Sequence, residues 1–435
     1  MTHWTTPAWH PKERTPDRLY AKRGFARHFA ELADLGRKSA EKWFEVALPP
    51  ASPSLAAGGC VLLGGAGFLG ARLARRLLLE DGPEGVTLVS RRPETVRERW
   101  VEWLGVEEAE RLMTNPKLRL VRADLSAPET SWTAEVPRIR TVFHLAAGMH
   151  ALAGWDALAA LNVNGVGHAV ALARRDGAML QHASTLSVFV SSNCVESHLE
   201  DALPPSDQLW AFGGYAQTKV AAELALQKVA GDVPVQMVRY GLLVPEASTA
   251  FAPDHFFRSF ITALVKVGCL PERAERAEVD LTRADWAADC AYALSRSGQT
   301  GVFHVAGEAV SLGEVVDCLQ ETRHEHGTAP LHVVVDADFD ARVTRTSGMS
   351  RALLRSAFRK SDFLNDEAAR GPLLNLDLFQ ATDHHFGGTR MVAATGMMGF
   401  SREKLLCHLV GKALEKQGAC LMTYPLLINT CGKCS

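Results

Sequence analysis

Tyr215-Ala-Gln-Thr-Lys219 is the pair of side chains best suited to chemistry in this 435-residue chain. On a helix, a four-residue step sets both on one face, the ammonium beside the phenol. A neighbouring cation favours phenolate and lowers a tyrosine pKa from its reference of about 10. Such a phenol can give its proton to a carbonyl oxygen as hydride arrives at the carbon. The Lys219 ammonium can also reach a nicotinamide ribose. Upstream, His182-Ala-Ser-Thr-Leu-Ser-Val188 places Ser184 and Thr185 at a strand end, where a hydroxyl can bond the same oxygen. Taken in isolation, the Tyr-Lys step reads equally as a half-buried tyrosine on a surface helix.

A second cluster is Gly64-Gly-Ala-Gly-Phe-Leu-Gly70, directly behind the apolar run Cys60-Val-Leu-Leu63. It predicts a buried strand, a tight turn and a helix opening near Phe68. The start of that helix, with Phe68 and Leu69, turns amide N–H groups and the positive dipole end toward a pyrophosphate. Gly64, Gly67 and Gly70 allow the turn and the close approach of the phosphate. The spacing is GxxGxxG, a variant of the dinucleotide fingerprint. Another apolar run, Val86 to Ser90, follows as a βαβ unit requires. It ends in Ser90-Arg91-Arg92, where an NAD-preferring site carries an acidic residue. Two guanidiniums suit a 2′-phosphate, so the cofactor expected is NADPH rather than NADH. The alternatives are an empty glycine turn and a solvated basic turn.

These positions need a scaffold, and the rest of the chain supplies one. Further strands are predicted at Leu118–Val121, Thr141–Leu145, Met179–Ala183 and Val233–Arg239, alternating with helices. That alternation predicts an α/β fold, a Rossmann-type doubly wound parallel sheet with helices on both faces. After the strand ending at Leu145, Ala146-Ala-Gly148 is small enough to let backbone pass close to a cofactor, Ala146 first. Residues 1–55 read as an N-terminal helical extension and linker, with one amphipathic helix from Arg23 to Val46. Phe25, Phe29, Leu32, Leu35 and Trp43 are its packing candidates. Residues 56–330 read as the NADP-binding domain, 331–420 as a smaller, mostly helical lid, and 421–435 as a tail. Phe251, Phe256, Phe257 and Phe260 read either as an acyl channel or as core.

Net charge is −2, so no global field points to nucleic acid. No apolar run reaches 18 residues, so no spanning helix is predicted, and the N-terminus lacks a signal core. Nine cysteines scattered mostly singly through apolar runs fit buried thiols in a reducing, cytoplasmic setting. The pair Cys431 and Cys434 lacks the second pair that a structural zinc site needs, so no metal is expected.

In this order, the motifs resemble the extended short-chain dehydrogenase/reductases. They are most similar to the thioester reductase, or reductive release, domains of peptide and polyketide synthetases, relatives of carboxylic acid reductases and fatty acyl reductases. The likeness rests on Ala183-Ser-Thr-Leu-Ser-Val188, Gly213-Gly-Tyr-Ala-Gln-Thr-Lys219 with Glu223, Arg239-Tyr-Gly-Leu-Leu243, Val279-Asp-Leu-Thr282 with Asp285-Trp286, and Val302-Phe-His-Val305. It spans roughly residues 58 to 420. One departure is Leu63, where the family usually has Thr or Ser before the glycine turn.

The resemblance implies that Thr185, Tyr215 and Lys219 are the catalytic residues, with Thr185 preferred to Ser184. It puts Asp124 and Leu125 at the adenine, although Asp124 reads equally as a local cap. It places Asn162 near the active-site helix, in a structural role, and leaves His144 and His182 as strand-end core histidines. The implied reaction is reduction of an acyl thioester, on an acyl carrier protein or coenzyme A, to an aldehyde or onward to an alcohol. The chain reads as free-standing and would recruit its thioester from solution. Two other readings stay open: an epimerase or dehydrogenase of a sugar nucleotide, steroid-like or other alcohol, and a non-enzymatic NADP-binding regulator.

Overall fold

The computed structural model describes residues 26–46, 48–50, 58–79, 85–149, 153–192, 200–207, 209–246, 255–358, 386–397 and 403–414. The chain opens with β1 (Ala26–His28), α1 (Phe29–Glu45), β2 (Gly59–Leu63), α2 (Phe68–Leu79), β3 (Val86–Ser90), α3 (Val96–Leu104), α4 (Val106–Met113), β4 (Leu118–Arg122) and β5 (Ile139–His144). Next come α5 (Trp155–Ala159), α6 (Val166–Asp176), β6 (Met179–Thr185), α7 (Ser187–Val190), β7 (Trp210–Phe212), α8 (Gly214–Val229), β8 (Val235–Tyr240) and β9 (Leu242–Val244). Then follow α9 (Phe256–Val267), β10 (Cys269–Pro271), β11 (Glu278–Arg283), α10 (Ala284–Ser297), β12 (Gly301–Val305) and β13 (Glu308–Ser311). The last are α11 (Leu312–His326), β14 (His332–Val334), α12 (Asp336–Arg345), α13 (Gly348–Ala357), α14 (Thr389–Thr395) and α15 (Glu403–Leu414).

Seven strands form one sheet in the order β12-β8-β6-β5-β2-β3-β4, each pair parallel. Helices cover both faces, which is why β2 is buried at every residue and reads as an unbroken apolar run. Strand order reverses between β2 and β5, and the crevice at that switch point is where such sheets bind ligands. The doubly wound α/β expectation holds. The predicted strands appear within about two residues of their expected ends, the usual uncertainty of strand and helix limits.

The N-terminal helix differs from expectation. Residues 26–28 are a strand paired antiparallel with β7, and α1 begins only at Phe29. The edge formed by Trp210–Phe212 offers backbone partners, and the Phe29 amide donates to the Leu209 carbonyl at 2.7 Å. Phe25 lies outside the described residues. Phe29, Leu32 and Trp43 are buried in the core as expected, and Leu35 is partly buried against it. Gly36 lets α1 lie directly on α8, since a Cβ there would stand 2.5 Å from the Ala221 carbonyl oxygen.

A second core lies beyond the sheet. It gathers Val244, Phe257, Phe260, Val279, Leu312, Phe339, Phe358 and Leu409, residues on both sides of position 330. Phe257 and Phe260 belong to that core, and Phe256 packs against it. Phe251 lies outside the described residues. The segment after 330 divides between bodies: α12, α13 and α15 pack in this second core, while α14 packs on α10 and β12 of the large sheet. Glu200 pins α14 there, accepting from the His304 amide at 2.9 Å and the Met391 amide at 3.1 Å. Cys60, Cys269 and Cys290 are free and buried. Cys318 on α11 is disulfide-bonded, so the expectation of thiols throughout is corrected at that position. Cys431 and Cys434 lie outside the described residues. Among the described residues no helix is long and apolar enough to cross a membrane.

Candidate active site

The glycine turn joins β2 to α2 at the switch point. Gly64 has φ +95, and a Cβ on it would lie 2.6 Å from the Ala146 amide nitrogen. The turn and the β5 loop are therefore pressed backbone to backbone. A Cβ on Gly70 would collide with the Gly64 carbonyl, so that glycine closes helix against strand. Gly67 is different. It is exposed, and a Cβ there would meet only the Gly64 carbonyl, at 3.3 Å. Internal packing explains Gly64 and Gly70, whereas Gly67 leaves open space above the start of α2. Helix geometry leaves the Phe68 and Leu69 amides without intrahelical acceptors. This cradle fits a pyrophosphate.

The sequence reading missed what holds the cradle. Trp100 and Trp103 on α3 donate their indole N–H groups to the carbonyls of Gly65, at 3.1 Å, and Ala66, at 3.2 Å. Two tryptophans three residues apart on an amphipathic helix were the available signal, because a buried indole N–H needs an acceptor. Arg72 on α2, also buried, bonds Glu246 at 2.8 Å and the Phe68 carbonyl at 2.9 Å. It ties the turn to the chain leaving β9.

Arg91 and Arg92 are exposed at the carboxyl end of β3, beside the cradle. Among the described residues neither forms an ion pair. Arg122 lies beside them but is committed, bonding Glu94 at 2.7 Å and the Arg91 carbonyl at 3.1 Å. Asp124 is exposed, and its Oδ1 accepts from the Ser126 hydroxyl at 2.6 Å and the Ser126 amide at 3.0 Å. Those bonds, with the nearby Arg91 charge, hold its carboxyl below the usual range. The local-cap reading of Asp124 thus describes its bonds. Leu125 is buried in the core.

Tyr215 and Lys219 occupy the first turns of α8, one turn apart on one face. Gly213 enters the helix at φ +81, and a Cβ on Gly214 would run into Ala153 and Gly154. Glycines there let the loop before α5 cross closely over the helix start. Tyr215 is partly exposed, while Lys219 is only 2% exposed. The Lys219 ammonium donates to the Ala183 carbonyl at 2.8 Å, two residues before Thr185 on β6. Burial pulls its pKa down to about 8, against the opposing pull of Glu223. Thr185 Oγ1 donates to Ser187 Oγ at 3.0 Å and accepts from the Ser187 amide at 3.1 Å. Ser184, the other candidate, points its hydroxyl to Glu223 on α8. The glycine turn, Ala146, Thr185, Tyr215 and Lys219 all lie at the carboxyl edge of the sheet.

The remaining residues of the predicted neighbourhood are structural. Asn162 sits in a π-helical turn before α6; it accepts from the Gly148 amide at 2.7 Å and donates to the Gly148 carbonyl and to Thr218 Oγ1, each at 3.0 Å. It fastens the loop after β5 to α8. His144 and His182 stack with their Nδ1 atoms 2.9 Å apart. Burial takes His144 down to about 3 and His182 well below the ordinary histidine value, and the nearby Lys219 charge acts in the same direction. Both are core imidazoles, held neutral.

Known proteins resemble this chain in sequence and in fold. The family described as "Male sterility protein", whose members bind a nicotinamide dinucleotide, matches residues 62–291. The hybrid PKS-NRPS synthetase prlS of Fungal sp. (strain NRRL 50135) is 29% identical over 239 residues, 51% of this chain. Those residues are 5% of that protein, so the chain spans a small part of its relative. The terminal R domain from the myxalamid PKS-NRPS biosynthetic pathway superposes with a TM-score of 0.66 at 21% identity, covering 88% of this chain and 96% of that one. The R domain of a nonribosomal peptide synthetase from Mycobacterium tuberculosis gives 0.58 at 19% identity, covering 89% of this chain and 98% of that one. At such identities the two structures show a shared fold. The family match spans more than half the chain and contains the glycine turn, Thr185, Tyr215 and Lys219. The chain therefore belongs to the male sterility protein family.

Proposed function

We propose that this chain is an NADPH-dependent reductase that cleaves an acyl thioester to an aldehyde and a free thiol. The observation that carries the reading is the placement of Tyr215 above a buried Lys219 whose ammonium is anchored on the strand bearing Thr185. Residues at the glycine turn, Gly64 to Gly70, would hold the pyrophosphate, with Arg91 and Arg92 on the 2′-phosphate and Asp124 and Leu125 near the adenine. When bound, NADPH supplies a hydride to the thioester carbonyl carbon. Thr185 and Tyr215 receive the developing oxyanion, and Tyr215 transfers its phenolic proton to that oxygen. Lys219 keeps a positive charge beside the phenol as it becomes phenolate, and would also bond the nicotinamide ribose of bound NADPH. The resulting hemithioacetal loses its thiol to leave the aldehyde. Thr185 is preferred to Ser184 because the Ser184 hydroxyl bonds the buried Glu223 carboxylate, whereas among the described residues Thr185 bonds only the neighbouring Ser187 hydroxyl and amide.

The PKS-NRPS relatives support the substrate class: a thioester carried on an acyl carrier protein, or the matching coenzyme A thioester. The test is NADPH oxidation against a panel of acyl-carrier and acyl-CoA thioesters, with thiol release and aldehyde trapping scored together. Stoichiometric thiol and aldehyde are expected. Tyr215→Phe should lower turnover by about 10²-fold or more while leaving NADPH affinity nearly intact. Full activity in that variant, or NADPH loss without thiol, overturns the reading.

A further inference from the structure

Beneath the Tyr215–Lys219 face lies a second set of charges that the reaction above does not use. Glu223 stands one turn beyond Lys219 on α8, and it and Arg239 on β8 are both 0% exposed. Arg239 Nε donates to the two carboxylate oxygens of Glu223 at 2.9 and 3.1 Å, and Arg239 Nη2 donates to one of them at 2.6 Å. Ser184 adds its hydroxyl to the same carboxylate. Arg239 also lies 4.8 Å from the Phe189 ring centroid, with Nη1 3.2 Å from His304 Nε2. Lys219 makes its bond to the Ala183 carbonyl instead. This buried group holds two cations and one carboxylate.

We propose that Glu223 is a positioning residue whose carboxylate is shared between Arg239 and Lys219, so that Arg239 limits its hold on the ammonium and a surplus positive charge is left facing Tyr215. A carboxylate serving Lys219 alone would close an ion pair and leave the phenol beside a neutralised partner. With Arg239 claiming most of the acceptor positions, the group becomes neutral only when Tyr215 turns to phenolate. The charge balance thus favours the proton transfer assigned to Tyr215, and in that respect the proposal rests on the reductase reading.

Among the described residues the groups nearest this set are histidines and hydroxyls, with Glu200 and Arg390 beyond His304. The group meets His144 from β5, His182 and the Ser184 and Thr185 hydroxyls from β6, and His304 from β12. Burial keeps all three histidines neutral, and Lys219 or Arg239 reinforces this. From α6 comes His168, which burial also holds below its ordinary value, with Asp124 beyond it. Asn162 reaches α8 at Thr218, and α1 covers α8 with apolar residues and Gly36. Lys219 itself titrates near pH 8, within reach of measurement, and Glu223 is the charge that raises it.

The test follows the Lys219 ammonium by nitrogen NMR on protein labelled at lysine Nζ, with its signal identified by loss in Lys219→Met. Glu223→Gln should move the Lys219 midpoint about one pH unit toward acid, because the charge that raises it is gone. Arg239→Gln should move it at least about half a pH unit toward alkali, because Glu223 then serves Lys219 alone. The double variant Glu223→Gln/Arg239→Gln removes both members of the buried pair, so no charge is stranded; its midpoint should shift toward acid as in the single Glu223 variant. The alkaline limb of the kcat profile should follow these directions. Midpoints that do not move, or that move the same way in both single variants, overturn the proposal. The NMR titration needs no turnover, so an inactive wild-type protein would refute the reductase reading while leaving charge sharing to be judged by the midpoints.

Discussion

Gly67 and the arginine pair at 91 and 92 show how much a residue's type can say once its neighbours are known. The glycine pattern predicted a phosphate turn, but only the packing separates Gly64 and Gly70, which the fold itself requires, from Gly67, where a Cβ would meet only the Gly64 carbonyl. At the end of β3, Arg122 is tied to Glu94 and Arg91 to no carboxylate among the described residues. Arg91→Ala with Arg92→Ala should therefore weaken NADPH binding by at least about tenfold, since charge-assisted bonds to phosphate are strong. NADH affinity should stay within about twofold. Titration of both coenzymes checks this, and equal losses for the two would reject the 2′-phosphate assignment. The Tyr-Lys step was legible because it is local, four residues on one helix. The Trp100 and Trp103 caps were not, because their acceptors lie some 35 positions away in sequence.

At the scale of elements, α8 is the piece that must not move. It carries Tyr215, Lys219 and Glu223, and α1, β6, β8 and the Asn162 turn all bear on it. The predicted N-terminal helix was legible from its apolar stripe, but its role as a brace for α8 was not. That role depends on Gly36, whose missing side chain sets the distance between the two helices. Gly36→Ala puts two effects in opposition. Alanine gains about 1 kcal/mol of helix propensity over glycine. The new Cβ would stand 2.5 Å from the Ala221 carbonyl oxygen, and two backbones must then part. Overpacking of that kind costs about 1–3 kcal/mol, so a net loss is expected. Denaturant midpoints should fall, and kcat should fall with them because α8 is displaced. An unchanged midpoint would show that α1 is not a brace.

For the whole molecule, three buried histidines on β5, β6 and β12 weaken the fold toward acid. His144, His182 and His304 are held neutral by burial, with pKa values below the unfolded value of about 6.5. Between the folded and unfolded values, the unfolded chain binds more protons than the folded one, so stability falls as pH is lowered. The contribution is fully present above about pH 6.5. For His144, with a folded value of about 3, the loss on going from pH 6.5 to pH 5 is about 2 kcal/mol. Denaturation at pH 7 and pH 5 should show a clear drop in midpoint, and His144→Gln should flatten it. A midpoint unchanged between the two pH values would contradict neutral burial of these rings.

Read alone, the chain determined the alternation of strands and helices, the position of the glycine turn and the identity of the Tyr-Lys step. Each of these is written in contiguous residues, through periodicity, backbone freedom or helical spacing. Only the tertiary structure decided that Ser184 belongs to Glu223, that Arg239 pairs with that same carboxylate, and that the second core draws on residues before and after position 330. Those facts are pairings between distant segments. Burial and hydrogen-bond geometry select one partner for each group from many of suitable type, and a linear pattern does not carry that selection.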